Sequence, residues 1–382
     1  MSLLVVNKNH IALGHFGDTG VKITPALKEG SADIQVETLV EGEGTVAVEL
    51  LDAEGSIVAK DEGAKTTLHL EAPHLWNGVK DPYLYTCVVR LMQDGKPVDE
   101  VTTKVGLRSF SVDAKKGFFL NGKPYPLHGV SRHQDRKGLG NAITREMHDE
   151  DMALIRELGA NTVRLAHYQH DQYFYDLWMD FFHLVYPNRP LGFSEYGAEG
   201  MPNLHNAHPR RGDHTEEYQA KYHEYMLKCF DRHPWLWATH VWNMFDFAAD
   251  ARDQGGEPGV NHKGLVTFDR KTKKDSFYLY KAWWSDENFV HICSKRFTDR
   301  TEKELEVKIY SNQKAVTLYA DGKKLAEQTG EHIFKFRVPL HGKVELKAVA
   351  GDCIDTACFC YVDTPNPSYR LKKFNSTSAN WV

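Results

Sequence analysis

The chain has 382 residues, 41% of them hydrophobic and 26% charged, which suffices for buried cores and argues against a disordered polymer. Its 47 Lys and Arg against 52 Asp and Glu give a formal net charge of −5, so nucleic acid and anionic membranes are not expected partners. No apolar run approaches the ~20 residues of a membrane span, and Met1-Ser2-Leu3-Leu4-Val5-Val6-Asn7-Lys8 is too short and polar for a signal peptide; a soluble, cytoplasmic protein is the expectation.

From Val21 to Phe110 the pattern is β-type. Asp33–Val40 and Thr45–Leu51 alternate or nearly alternate apolar with polar residues, Glu54-Gly55 and Asp94-Gly95 mark turns, and Tyr85–Met92 and Val98–Phe110 continue the series. Short strands at this spacing predict a β-sandwich without chemically useful side chains, over 21–110.

After Lys116-Gly117 the character changes. Phe118–His133 reads as a hairpin leading into a buried strand near Leu127–Val130. A helix begins near Thr144, its plausible N-cap, and stops at Gly159. Asn161–His167 is a strand with a polar tip, Asp171–Asp180 a helix, and Leu191–Glu195 a short apolar strand ending in a charge. Thr215–Arg232 is a helix whose stripe is Tyr218, Tyr222, Tyr225 and Cys229, closed by Pro234, and Leu236–Trp242 is a fourth apolar strand. Alternation of strand and helix with polar strand ends is the pattern of a (β/α) barrel. The basic run Arg270–Lys274 reads as a solvated loop.

From Asn288 the text is β-type again: Leu305–Tyr310, Ala315–Tyr319, Ile333–Val338 and Val344–Val349 are strands, and Asp321-Gly322 is a hairpin turn. A second sandwich follows over 289–382, with a polar tail at Phe374-Asn-Ser-Thr-Ser-Ala-Asn. Of the six cysteines, Cys353, Cys358 and Cys360 share what looks like a strand; without a CxxC pair or a nearby fourth ligand they make a poor zinc site, and no metal is assigned.

The strand ends carry the chemistry. Gly129-Val-Ser-Arg-His133, Arg164-Leu-Ala-His167, Ser194-Glu195-Tyr196-Gly197 and His240-Val-Trp242-Asn243 would converge on one cleft of a barrel. A carboxylate, neutral hydrogen-bonding groups and an indole suit a small carbohydrate, whose hydroxyls need donors and acceptors and whose C–H face stacks on an aromatic ring.

Phe118-Phe-Leu-Asn-Gly-Lys-Pro, Leu127-His-Gly-Val-Ser-Arg-His133, Glu157-Leu-Gly-Ala-Asn-Thr-Val-Arg164 and Phe193-Ser-Glu-Tyr-Gly197 closely resemble glycoside hydrolase family two. Trp235-Leu-Trp-Ala-Thr-His-Val-Trp-Asn-Met-Phe-Asp246 and Lys263-Gly-Leu-Val-Thr-Phe-Asp-Arg-Lys271 look like its bacterial β-galactosidases. The resemblance implies a multidomain α/β plus all-β architecture, a partial (β/α) TIM-type barrel over 111–288 flanked in sequence by two immunoglobulin-like sandwiches, with residues 1–20 as the end of a sugar-binding jelly roll. It implies retaining hydrolysis of terminal β-D-galactosides, with Glu195 as nucleophile, His133, His167 and Tyr196 at the sugar and Trp242 as an aromatic wall. Asn261-His-Lys263 resembles the element by which β-glucuronidases hold a sugar carboxylate, so a β-glucuronidase is the alternative enzyme. Mg²⁺ or Na⁺ near the sugar is a family habit, and Asp246 reads as structural.

One part of the family pattern is missing. The acid/base belongs in an Asn-Glu pair ending the fourth barrel strand, and this sequence contains no Asn-Glu dipeptide. Glu195 follows His167 by only 28 residues, and 111–288 spans 178 residues where a whole barrel takes about 250. The four strands correspond to the first, second, seventh and eighth, contiguous in a closed barrel, leaving two open edges that a homo-oligomer or a rearrangement would cover. A catalytically impaired sugar-binding or structural relative is the remaining alternative; Glu199 and Asp246 are the nearest substitute carboxylates in sequence.

Overall fold

The computed structural model describes residues 5–14, 19–140, 142–164, 191–250, 252 and 257–371. The chain divides into two compact units, Met1–Val112 with Phe118–Tyr125, and Asp113–Gly117 with Pro126–Val382. His167, the Asp171–Asp180 helix and the polar tail lie outside the described residues.

In the first unit two antiparallel sheets face each other. One orders Val21–Lys28, Ser31–Thr38 and Lys65–Glu71; the other orders Ile57–Glu62, Thr45–Leu51, Tyr85–Gln93 and Lys96–Val105. Because strand side chains alternate, Ala32, Ile34 and Val36 from one sheet meet Val46, Val48 and Leu50 from the other in a single core. Asp94 and Gly95, both at positive φ (48° and 73°), close the hairpin between the last two strands. The expected Val98–Phe110 strand ends at Val105. Beyond it Leu107 O accepts from Trp76 N at 2.9 Å, which takes the chain off the sheet edge. Val21–Lys28 and Lys65–Glu71 alternate inward and outward residues like the other strands, while Ile57–Glu62 is mostly exposed.

The second unit contains a four-stranded parallel sheet in the order Thr162–Arg164, Leu127–Ser131, Ala238–Val241, Phe193–Tyr196. In the barrel numbering implied by the resemblance this is second, first, eighth, seventh, the contiguous order expected. One face buries Val130, Phe193, Tyr196 and Val241 against three helices, Arg145–Leu158, Glu216–Asp231 and Asp275–Trp284. The first helix starts after Thr144, but its hydroxyl makes no cap bond and engages the Glu146 carboxylate instead. It ends at Gly159, whose φ of 86° suits glycine and where a Cβ would lie 2.5 Å from the Trp284 backbone.

Two expectations are corrected on the other helices. Glu216–Asp231 is capped by Thr215, whose Oγ1 accepts from Tyr218 N at 3.1 Å, but its buried face is Gln219, Ala220, His223, Met226, Leu227 and Cys229, while Tyr225 is exposed. The tyrosine spacing followed a helical period, yet amphipathic Tyr tolerates the boundary and the core took the smaller residues. Arg270–Lys274 is not a solvated loop: Arg270 and Lys274 are buried, and Asp275–Trp284 is a helix that the sequence reading missed. The counter-charges Asp151 and Asp246 lie 119 and 28 residues away, so the run by itself showed only its positive half.

The chain ends in two further sheets, Val290–Ile292 with Glu304–Ser311 and His332–Pro339, and Asp299–Arg300 with Cys353–Tyr361, Lys343–Ala350, Ala315–Ala320 and Lys323–Thr329. They enclose their own core, while Tyr310 and Ile333 join the core behind the parallel sheet.

Candidate active site

Glu195 stands on the sheet face opposite the helices, and a bulge puts it there. Phe193 pairs with Thr239 and Tyr196 with Val241, so the Phe193–Tyr196 strand spends one extra residue where its partner advances by two. Phe193 and Tyr196 can then both enter the helix-side core, and Glu195 is aimed away from it. Gly197 follows because any Cβ there would lie 1.9 Å from Trp242 O. The carboxylate is buried, 4% exposed; Oε1 accepts from Arg164 Nη1 at 2.9 Å, and Oε2 has no hydrogen-bond partner among the described residues. Burial pushes its pKa above the ordinary glutamate value, opposed by Arg164 and then Lys263.

Around it the other strand tips supply an aromatic wall and a polar turn. His133 stacks on Phe247, ring centroids 4.2 Å apart, and meets Trp242 edge-on at 5.5 Å. Trp242 is buried and also sits edge-on to Phe247 at 5.2 Å. The turn Asn261–Lys263 is buried; Asn261 Oδ1 accepts from Lys263 N at 3.0 Å, and Lys263 O accepts from Asn243 N at 3.1 Å, which ties the turn to the residue after Trp242. Burial draws the Lys263 ammonium down to about 8, with Glu199 and Glu195 opposing the fall and Arg252 adding to it.

Tyr196, expected at the sugar, goes elsewhere. It is fully buried among the helices, its hydroxyl accepts from Tyr280 at 3.2 Å, and His223 Nδ1 meets the Tyr280 hydroxyl at 2.7 Å. The structure therefore brings together Glu195, Lys263, His133, Trp242 and Asn261 in the strand-tip region, and directs Tyr196 to the core. Asp246 is held by Lys274 Nζ at 2.7 Å and Gly264 N at 2.8 Å, in the structural part expected of it. Arg164 was among the strand ends expected at the cleft, without its pairing to Glu195, and two residues, Phe247 and Arg252, escaped the sequence reading of the site. Arg164 shares the parity of Thr162 on its strand and so faces Glu195; Phe247 lies one residue beyond the quoted motif; Arg252 pairs with Glu199 through a contact that no local pattern announces.

A hard cation needs six or more oxygen ligands. Among the described residues Glu195, Glu199 and Asp246 are each paired with a cation, Arg164, Arg252 and Lys274, and only one oxygen each of Glu195 and Asp135 is left over, so this donor set does not fit Mg²⁺ or Na⁺. Asp275, His291 and Cys293 bring ligand atoms within 4.8 Å of one another behind the sheet. There Asp275 already accepts from His291 at 2.9 Å and from Ser294 N at 2.6 Å, with Arg296 3.9 Å away, and hydrogen bonding explains the cluster without a metal.

Comparison with known proteins agrees with this geometry. The model of glycosyl hydrolases family 2 matches residues 15–108, and the model of that family's TIM barrel domain matches residues 111–186. An FMN-binding β-glucuronidase from Facaelibacterium prausnitzii L2-6 is 34% identical with a TM-score of 0.90, covering 96% of this chain and 77% of that one. A β-glucuronidase of Bacteroides fragilis is 29% identical over 445 residues, 81% of this chain and 63% of its own, and a β-galactosidase of Bacteroides ovatus is 34% identical over 171 residues, 40% of this chain and 20% of its own. The chain thus spans less than two thirds of these curated relatives. In the first alignment more than a hundred of the 445 positions face no residue of this chain.

Proposed function

Because this chain belongs to glycosyl hydrolases family 2, we propose that its strand-tip site takes a β-linked glycoside and cleaves it with retention, Glu195 attacking the anomeric carbon through Oε2. The unpartnered Oε2 of a buried carboxylate supports that role: Arg164 fixes one oxygen and leaves the other its lone pairs. A retaining enzyme needs a second carboxyl group about 5–5.5 Å from the first to protonate the leaving group. Glu199 is committed to Arg252 and to His262 N at 2.8 Å, and Asp246 to Lys274, so neither is suited to give a proton. Where no other carboxyl group takes that part, turnover falls by typically 10²–10⁴-fold and favours substrates whose leaving group departs unaided.

Of the two sugars, the reading favours a β-glucuronide over a β-galactoside. The observation that carries it is the buried Asn261–Lys263 turn, whose ammonium stands within electrostatic reach of Glu195 and Glu199. An ammonium held at that place suits a sugar carboxylate, because a buried anion needs a cation beside it, and offers a neutral hexose no such gain. Two of the relatives above are β-glucuronidases, which agrees with this choice.

The test compares 4-nitrophenyl β-D-glucuronide with 4-nitrophenyl β-D-galactoside, each with and without azide. Nitrophenolate leaves without an acid, and azide replaces the water that a base would activate, giving a glycosyl azide. The expected result is faster release from the glucuronide, by roughly tenfold, acceleration by azide, and loss of both in Glu195→Gln. Faster galactoside turnover would reverse the sugar assignment, and turnover that survives Glu195→Gln would remove the nucleophile.

A further inference from the structure

Lys263 is held in a shell of charges whose members come from several elements. Glu195 reaches it from the Phe193–Tyr196 strand, Glu199 from the segment that follows, and Arg252 from the loop after Phe247–Ala248. On its other side the Asp246–Lys274 pair brackets the turn, with Lys274 Nζ donating to His262 O at 3.0 Å, and His262 and His214 both face Glu199.

Among these groups Glu199 has two attachments that bear on Lys263 at once. Its Oε2 accepts from the backbone N–H of His262 at 2.8 Å, the residue between Asn261 and Lys263, and its Oε1 is paired with Arg252. Its side chain is 6% exposed. The same turn is clamped from behind by Gln219 Nε2, which donates to Ala198 O at 3.0 Å and Gly264 O at 3.1 Å, so the backbone flanking Glu199 and the backbone flanking Lys263 share one buried amide. Resting on the reading of Lys263 as the holder of a sugar carboxylate, we infer that Glu199 is a positioning residue that sets the place and the charge of the Lys263 ammonium, and thereby the preference for acidic over neutral sugars. Arg252 works against it: it occupies one Glu199 oxygen and repels the ammonium.

The two residues therefore have opposite effects on one titration. The ammonium is drawn by burial to about 8, with Glu199 raising it and Arg252 lowering it. Uronate binding is present while Lys263 is protonated and fades as the pH rises past that value. Glu199→Gln keeps an acceptor for His262 N–H and removes the charge; Arg252→Gln removes the competing cation and leaves Glu199 facing Lys263.

The experiment measures binding of methyl β-D-glucuronide and methyl β-D-galactoside between pH 6 and 10, following tryptophan fluorescence, on the whole chain and on both variants after thermal melting shows that each is folded. The expected result is an alkaline limb in glucuronide binding that moves to lower pH by roughly one unit in Glu199→Gln and to higher pH in Arg252→Gln. At pH 8 the former binds the glucuronide roughly fivefold more weakly than the unaltered chain, and galactoside binding is unchanged. Equal losses in both variants with the limb in place would overturn the inference and leave Glu199 a structural residue, with the assignment of Lys263 intact. A whole chain that binds both sugars equally, without an alkaline limb, would overturn the assignment of Lys263 and the inference with it.

Discussion

Glu195 is a stability liability as well as the proposed nucleophile, and the sign of its effect with pH follows from its surroundings. Burial raises its pKa despite Arg164, so in the folded state the charged form is less favoured than in the unfolded chain. The stabilising side of that shift is present below the unfolded value, where the group is protonated in both states, and is lost as the pH rises through the raised folded value. Glu195→Gln stays neutral throughout. Its melting temperature relative to the unaltered chain should be flat below about pH 4, climb as Glu195 ionises, and level off roughly 2–4 °C higher at pH 8. Calorimetry at a series of pH values reads this directly; a variant that melts lower at pH 8 would mean that the Arg164 ion pair outweighs desolvation. At this scale the sequence made Glu195 legible, because Ser194-Glu195-Tyr196-Gly197 is a local word at the end of an apolar strand. It could not place Tyr196: the bulge that turns Phe193 and Tyr196 to the same side depends on how Ala238–Val241 pairs beside them.

Elements that look like surface in the sequence can be the fastenings of the site. Lys274 is fully buried at the entry to the Asp275–Trp284 helix, donating to Asp246 Oδ1 at 2.7 Å and to His262 O at 3.0 Å. Asp246 Oδ1 also accepts from Gly264 N at 2.8 Å, so this one pair ties the helix to both ends of the Asn261–Gly264 turn. Lys274→Met leaves Asp246 as a buried carboxylate without its cation and should cost about 3–5 kcal/mol, read as a lower urea midpoint at unchanged slope. Lys343, exposed beside Glu345 at 2.6 Å, is the control: Lys343→Met should leave the midpoint where it was. A small shift for Lys274→Met would show that the turn relaxes to let water reach Asp246. Strands with alternating patterns were legible here, Thr45–Leu51 to the residue, and so was Gly159 as a helix stop. The Asp275–Trp284 helix was not, because seven of its ten residues are buried and an almost all-round apolar helix has no stripe to read.

At the scale of the whole molecule the sheet order was readable from the family resemblance and the spacing together: too few residues separate Arg164 from Phe193 for four more βα units, so these two strands fall at opposite edges of the sheet, with Leu127–Ser131 and Ala238–Val241 between them. What spacing did not show is how firmly the parallel sheet with its helices and the sheets after Asn288 are joined. Tyr310, from the Glu304–Ser311 strand, enters the core behind the parallel sheet and donates to Glu224 at 2.5 Å, and Arg296 is paired with the buried Glu216. His332 stacks on Trp283 at 4.1 Å and its Nδ1 lies 2.8 Å from Ala282 O. Apolar packing and buried ion pairs across the same junction make separate melting of its two sides unfavourable, because opening it would strand Glu216 and Glu224 without partners. The sandwich of the first unit has a core of its own. Calorimetry should therefore resolve two transitions and not three. Leu50→Ala, fully buried in the first core, should cost about 2–5 kcal/mol and lower one transition only, while Leu318→Ala, fully buried in the last sandwich, should lower the other. If Leu318→Ala instead split off a third transition while the parallel sheet melted unchanged, the Tyr310–Glu224 and Arg296–Glu216 contacts would not couple the two cores.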